Sequence, residues 1–417
     1  VAQLPTTLIH HPYAPPQGFE APQPGVFKAS TVFFPTVAAM RQRDWKDRSA
    51  YTYGLHGTPT TYVLEQRLCT LEGGLHCLLL PSGLAALALV ALSLLKAGDE
   101  VLLPDNAYGN NKPLFDAEFT HWGITYQIYD PMDVADLQAR ISERTRLVWL
   151  EAAGSVTLEF PDLPAMVRLC KARGVLTALD NTWGAGLAFA PFDLLPTQEP
   201  GLGVDISAHA LTKYPSGGGD VLMGSVITRS PNLHQQLQAT HMRLGFNVAA
   251  NDAEAVLRAL PSMALRYVAH DAAARTLAQW CTQQPQFVQV LHPALPTSPG
   301  HAHWRVVCQS AAVGGQADGA NSDANGGAGR AAGLFSVVIA SEYSQRQVDA
   351  FCESLQLFRI GWSWGGPVSL VVPYKLASMR TRWPAHISRG TVVRFAIGLE
   401  SVADLQADLA QALHTLQ

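Results

Sequence analysis

No stretch of this sequence can cross a bilayer as a helix: the longest apolar run, Leu84 to Leu95, falls well short of the roughly 20 residues a span needs and reads as a buried helix. Cysteine is scarce and dispersed. None of Cys69, Cys77, Cys170, Cys281, Cys308 and Cys352 stands in a CxxC pair, which excludes the common zinc and dithiol motifs and leaves buried thiols. Charge is thin as well. With 15% charged residues, a formal net charge of -4 and no dense stripe of Lys and Arg, the chain has no field suited to a nucleic-acid backbone. The opening residues Val1 to Pro5 show neither the basic start nor the apolar run of a secretory signal, so a cytoplasmic protein is expected.

What is present is length and an apolar fraction of 48% over 417 residues, enough for two cores. Residues 1–57 carry Pro5, Pro12, Pro15, Pro16, Pro22 and Pro24 with little periodicity and read as an extended arm, able to pack on a neighbouring subunit. From 58 to 255 short apolar segments alternate with helical ones. Strands are expected at 77–80, 100–103, 125–129, 147–151 and 175–179, with helices at 83–96, 132–140 and 162–172. Such alternation implies an α/β domain with a largely parallel sheet, whose ligands bind at the carboxyl ends of the strands. The pattern then changes to a long helical stretch, 251–280, with an interruption expected at Pro261, and to fewer strands, so 256–417 reads as a smaller second domain. Ser344 with Gln347 and Ser401 with Asp404 mark two helix starts there, and the Gly-, Ala- and Asn-rich residues 311–333 read as a mobile surface loop.

Three places carry chemistry. Lys213 lies in Asp205-Ile-Ser-Ala-His-Ala-Leu-Thr-Lys213-Tyr-Pro-Ser-Gly-Gly-Gly-Asp220, a loop after apolar sequence, where a deprotonated amine could form an imine with an aldehyde cofactor. Taken alone, an ordinary surface lysine beside a flexible turn fits equally well. Asp180 ends an apolar run, where a parallel strand would deliver a carboxylate to the crevice; a helix cap is the plainer alternative. Pro81-Ser82-Gly83-Leu84 passes from strand to helix, so the amides of Gly83 and Leu84 would face outward and suit a phosphate. The pairs His10-His11 and His301-Ala-His303, the latter on a possible strand edge, lack a Cys, Asp or Glu at ligand spacing and read as loop histidines rather than a metal site.

In this order, the residues resemble the Cys/Met-metabolism pyridoxal 5'-phosphate (PLP) enzymes of aminotransferase-like fold type I, and within them the cystathionine β-lyase branch. The stations are Tyr53-Gly-Leu-His-Gly-Thr58, Leu71-Glu-Gly-Gly74, Asn106-Ala-Tyr108, Leu150-Glu-Ala-Ala-Gly-Ser155, Asp180-Asn-Thr-Trp183, Thr212-Lys213-Tyr214, His292-Pro-Ala-Leu-Pro296, Gly333-Leu-Phe-Ser336, Ser363-Trp-Gly-Gly366 and Val393-Arg-Phe-Ala-Ile-Gly-Leu-Glu400. The resemblance implies that Lys213 holds PLP as a Schiff base, Asp180 partners the ring nitrogen and Tyr108 stacks on the ring. It implies a phosphate held by Gly83, Leu84, Ser207, Thr212 and Tyr53, and a substrate side formed by Arg394 on the α-carboxylate with Ser363, Trp364 and Trp362. Asn181 and Trp183 are read as packing around these groups.

The activity so implied is α,β-elimination on cystathionine by a homotetramer whose sites are shared across a dimer interface, with a small sulfur amino acid as the only expected partner. A γ-acting relative and a catalytically idle binding protein are the alternatives. The chain departs from the family pattern in four places. Leu55 stands where relatives place a phosphate-binding arginine, Pro215 and Gly217-Gly218 alter the lysine loop, and residues 194–203 and 311–333 look like insertions. Trp362 supplies an apolar wall where γ-acting relatives often offer an acidic group, which favours β-elimination.

Overall fold

The computed structural model describes residues 3–12, 17–18, 21–313 and 329–416. Strands β1 (His76–Leu80), β2 (Glu100–Pro104), β3 (Thr125–Tyr129), β4 (Thr145–Glu151), β5 (Leu176–Asp180), β6 (Ile206–Ala210) and β7 (Gly224–Thr228) form one sheet in the order β1-β7-β6-β5-β4-β2-β3. All neighbours run parallel except β7, which is antiparallel to both β1 and β6. The strands read as near-continuous apolar runs because both faces are covered. Leu78, Leu80, Val101, Leu103 and Trp149 pack under the helices Gly83–Leu94 and Pro231–Leu244, while Cys77, Leu79, Leu102, Val148 and Leu150 face the helices Pro59–Glu72 and Leu163–Arg173. A period of two therefore divides each strand between two cores.

The second sheet comprises β8 (Phe287–Leu291), β9 (Leu334–Ala340), β10 (Arg359–Ile360), β11 (Leu370–Tyr374) and β12 (Gly390–Ala396), in the order β10-β11-β12-β9-β8. Only the short edge pair β10–β11 is parallel. Its core gathers Phe335, Phe395, Phe351 and Phe358 beneath the helices Gln345–Ser354 and Val402–Ala412.

Between the sheets runs a single helix, Ala250–Cys281. The interruption expected at Pro261 does not occur. Pro261 cannot donate to the carbonyl of Leu257, but Val256, Leu257, Leu260, Met263 and Tyr267 are all buried on either side of it, and that packing holds the rod together. Ala253 to Tyr267 contribute to the first core and Ala273 to Cys281 to the second, so the expected boundary near residue 255 falls inside the helix.

Other expectations change in detail. The arm is not wholly extended: Leu4–Ile9 is helical, with Leu8 buried against the helices Pro59–Glu72 and Ala250–Cys281, and Val37–Gln42 forms a second short helix. The Ser344–Gln347 capping box is present with both reciprocal bonds, whereas the Ser401 side chain makes no capping bond. The stretch 194–203 closes on itself: the Leu194 N–H donates to the Leu202 carbonyl at 2.7 Å and Leu195 bridges Glu199, so the strands on either side are undisturbed. Of the expected loop 311–333, residues 311–313 end the helix His301–Val313 and residues 314–328 lie outside the described residues. His301 and His303 sit on that helix rather than a strand edge, and no cluster of three or more metal-ligating side chains occurs among the described residues. No described helix is long and apolar enough to cross a membrane.

Candidate active site

The crevice forms where β4, β5 and β6 end. Asp180 is the last residue of β5, and its Oδ1 accepts the Thr182 N–H at 3.0 Å. Burial raises its pKa against the pull of that bond, of His209 and of Lys213. Beyond β6 the chain turns tightly: the Lys213 N–H donates to the Ala210 carbonyl at 3.1 Å and the Gly217 N–H to the Lys213 carbonyl at 2.9 Å. Tyr214 anchors the turn from below. Its ring is buried, its hydroxyl accepts the Gly333 N–H at 2.7 Å, and Arg266 donates to its carbonyl at 2.8 Å.

Lys213 thus projects from a rigid base, with Nζ 3.0 Å from Ser363 Oγ and 5.7 Å from the Trp364 ring centre. Burial, aided by the Arg394 charge and opposed by Asp180, lowers its pKa to about 8. A substantial fraction is then neutral near physiological pH, as a nucleophile or general base requires. The approach of the Ser363–Gly366 segment depends on Gly365, at φ +78°, where a Cβ would lie 2.9 Å from the Tyr214 nitrogen. Here both the left-handed backbone and the contact call for glycine.

Arg394 comes from β12 in the second sheet and is buried. Its guanidinium faces the Tyr374 ring at 5.3 Å and donates weakly to the Ser363 carbonyl at 3.4 Å, while Nε has no partner. A buried guanidinium with an unfilled N–H is a receptor for a carboxylate. Ser363 therefore joins two functions: its hydroxyl meets Lys213 and its carbonyl meets Arg394.

Tyr108 follows β2 and is 41% exposed. Asn110 donates to its hydroxyl at 2.8 Å, and its backbone N–H donates to Glu151 Oε2 at 2.7 Å. On the other side, Ser82 caps the helix Gly83–Leu94: its hydroxyl takes the Ala85 N–H at 3.0 Å and its carbonyl the Ala86 N–H at 3.1 Å. Those of Gly83 and Leu84 remain as the outward donors of the first turn. A Cβ on Gly83 would lie 2.6 Å from that of Ala210, so glycine lets the helix start close against the end of β6.

Four predicted residues are placed elsewhere or already engaged. Ser207 is wholly buried in mid-strand and its hydroxyl bonds to Glu72, so it does not fit as a phosphate ligand; the residue of β6 that meets Gly83 is Ala210. Thr212 Oγ1 is engaged with the Met223 backbone at 3.2 and 3.3 Å. Tyr53 lies in the arm, bridged to Thr31 and edge-on to His56, and Trp362 is 84% exposed on the rim. Burial holds the His56 imidazole below its ordinary range, so it supplies no ready cation in place of Leu55.

Several polar groups escaped the sequence reading. Glu151 ends β4 as Asp180 ends β5, the same run-then-acid signal, and burial with the Asp180 charge pushes it up to about 8. Beneath the sheet Glu72 accepts from Ser207, from Asn181 at 3.1 Å and from His209 Nδ1 at 2.8 Å. Beside Tyr108, buried Glu159 receives Arg380 at 2.6 Å, His386 at 2.5 Å and Asn106 at 3.2 Å.

An aldehyde-reactive amine, a carboxylate at a strand end, free amides at a helix start and an unfilled guanidinium together suit PLP joined to an amino acid. The model of the Cys/Met metabolism PLP-dependent enzyme family matches residues 5–414. The chain is 37% identical to the putative cystathionine beta-lyase of Rhizobium johnstonii, over 93% of this chain and 89% of that one. It is 36% identical to the cystathionine beta-lyase of Bordetella avium, over 98% and 96%. Among solved structures, cystathionine gamma synthase of Xanthomonas oryzae pv. oryzae, in complex with aminoacrylate and cysteine, superposes with a TM-score of 0.82 at 27% identity, covering 100% of this chain and 98% of that one. With a fold type I architecture and a family model matching residues 5–414, the chain belongs to the Cys/Met metabolism PLP-dependent enzymes.

Proposed function

We propose that the protein is a carbon–sulfur β-lyase that converts L-cystathionine and water to homocysteine, pyruvate and ammonia. The observation that carries this reading is the bridge at Ser363, which sets the Lys213 amine beside the Arg394 guanidinium. A base is thereby held next to a carboxylate receptor, as proton removal from the α-carbon of an amino acid requires.

When bound, PLP supplies the electron sink for the charge left on that carbon. Asp180 keeps the ring nitrogen protonated, Tyr108 covers the ring, and Gly83 and Leu84 take the phosphate; Thr212 joins them only by giving up its bond to the Met223 carbonyl. Arg394 grips the α-carboxylate. The Lys213 amine removes the α-proton at Nζ and delivers a proton to the departing sulfur. With Leu55 apolar and His56 neutral, the backbone amides carry the phosphate with one cation fewer than the family pattern. The exposed rings and aliphatic groups of Phe27, Phe33, Val37 and Met40 on the arm support a homotetramer in which subunits complete one another's sites.

Similarity to two β-lyases favours this reading over the γ-acting one that the synthase structure also accommodates. Incubation with L-cystathionine and PLP, followed by identification of the oxo acid, tests it. Pyruvate is expected; 2-oxobutyrate as the main product assigns the chain to γ-elimination, and no product leaves a binding protein.

A further inference from the structure

β4 and β5 are parallel neighbours in register to their last residues, so Glu151 and Asp180 stand side by side at the mouth of the crevice. Acids on paired residues in a place shielded from water repel each other when both are ionised. Both are pushed toward the protonated form, Glu151 to about 8. The other titratable groups bearing on the pair are Lys112 and Tyr129, which act on Glu151, and His209 and Lys213, which act on Asp180. Glu151 is also tied mechanically. Its Oε2 accepts the Tyr108 N–H at 2.7 Å. No step of the proposed elimination uses it.

We propose that Glu151 is a positioning residue that shares one proton with Asp180, and that this proton passes to solvent when the protonated ring of the cofactor meets Asp180, while the Glu151 carboxylate keeps its hold on the Tyr108 backbone. The inference rests on the assignment of Asp180 to the ring nitrogen. A cation arriving beside two carboxylates that hold one proton replaces that proton, so cofactor affinity is coupled to pH through Glu151. Glu151 thus links the ring's electrostatic partner to the backbone beneath its stacking partner.

Pyridoxine 5'-phosphate lacks the aldehyde and cannot join Lys213, which makes it a clean probe. Its binding to the cofactor-free full-length chain, measured by calorimetry at pH 7 in buffers of different ionisation enthalpy, gives the protons exchanged per site. Wild type is expected to release close to one proton more than Glu151→Gln, whose amide oxygen can still accept the Tyr108 N–H. Equal counts overturn the proposal, because a merely structural residue would not move this number. If the variant fails to fold, infrared spectra of wild type decide: a protonated-carboxyl band at pH 7 should weaken as the compound is added, and an unchanged band overturns the proposal. Failure of wild type to bind the compound overturns the Asp180 assignment and the inference with it.

Discussion

Lys213 titrates near 8 rather than 10.5 because its ammonium is buried and faces the Arg394 charge. Its neutral form therefore falls about tenfold per unit below pH 8 and is nearly complete above it. Stopped-flow capture of PLP by the cofactor-free chain should accelerate up to about pH 8 and then level off; a rise continuing towards 10.5 would show an ordinary lysine. Lys213→Ala should lose both the visible band of the lysine-bound cofactor and nearly all turnover. The duty proposed for Arg394 is to hold the substrate carboxylate. A charge-assisted pair is worth about 1.5–3 kcal/mol, so Arg394→Ala should lower kcat/KM roughly ten- to hundredfold, mainly through KM. An unchanged kcat/KM would mean that another group holds the carboxylate.

At the scale of elements, the loops after β2 and β4 are fastened to the segment before β12 by two acids. Glu159 receives Arg380 and His386, and Asp105 receives Lys112 at 2.7 Å and Thr381. These attachments fix the Tyr108 loop against the domain that supplies Arg394. The Arg380 and His386 charges, with the Thr157 bond, outweigh burial and depress Glu159 to about 2 from an ordinary 4.5. Its contribution to stability is complete above about 4.5 and is lost as pH falls from there towards 2. Glu159→Gln leaves a buried guanidinium without its partner and should cost about 3–5 kcal/mol at pH 7. Denaturant unfolding across pH should show that loss and a flatter profile between 2 and 4.5; a wild-type profile would mean that the network contributes little.

The same elements show what a sequence reveals and conceals. Five strands of the first sheet were legible, four as buried apolar runs and the edge strand β3 from its alternating, tyrosine-rich Thr125-Tyr-Gln-Ile-Tyr129. β6 and β7 were not, because small and polar residues interrupt the apolar run: Ile206-Ser-Ala-His-Ala210 and Gly224-Ser-Val-Ile-Thr228. Asp180 and Lys213 were legible from position, one ending a run and one following it, whereas Tyr108 and Arg394 came only through family resemblance. Ser207 was misjudged because its face of β6 cannot be known until the strand is placed: it pairs across Leu179 and Ile227, both directed into the core that contains Glu72's helix. Glu151 carried the same signal as Asp180 but gains meaning only from its register beside it.

For the whole molecule, the arm is where exposed apolar side chains gather. Phe33 is 92% exposed, with Val37 and Met40 also uncovered nearby. Apolar groups presented this way on a proline-punctuated arm fit the proposed packing of the arm on another subunit. Phe33→Asp should shift the assembly towards smaller species in analytical ultracentrifugation and raise the dissociation constant for PLP, while a monomer with full activity would contradict shared sites.

The helix Ala250–Cys281 gives the molecule a shared spindle. Its first half is threaded through one core and its second half through the other, and between them His270 Nδ1 bonds to the Ile397 carbonyl at 2.6 Å. Neither domain owns the rod. When one half loosens, it frees turns that the other half needs rigid, so heat cannot peel the domains apart in succession. A scanning calorimeter should record one endotherm where two sheets would suggest two, and an artificial chain cut within this helix would leave neither fragment with a finished core.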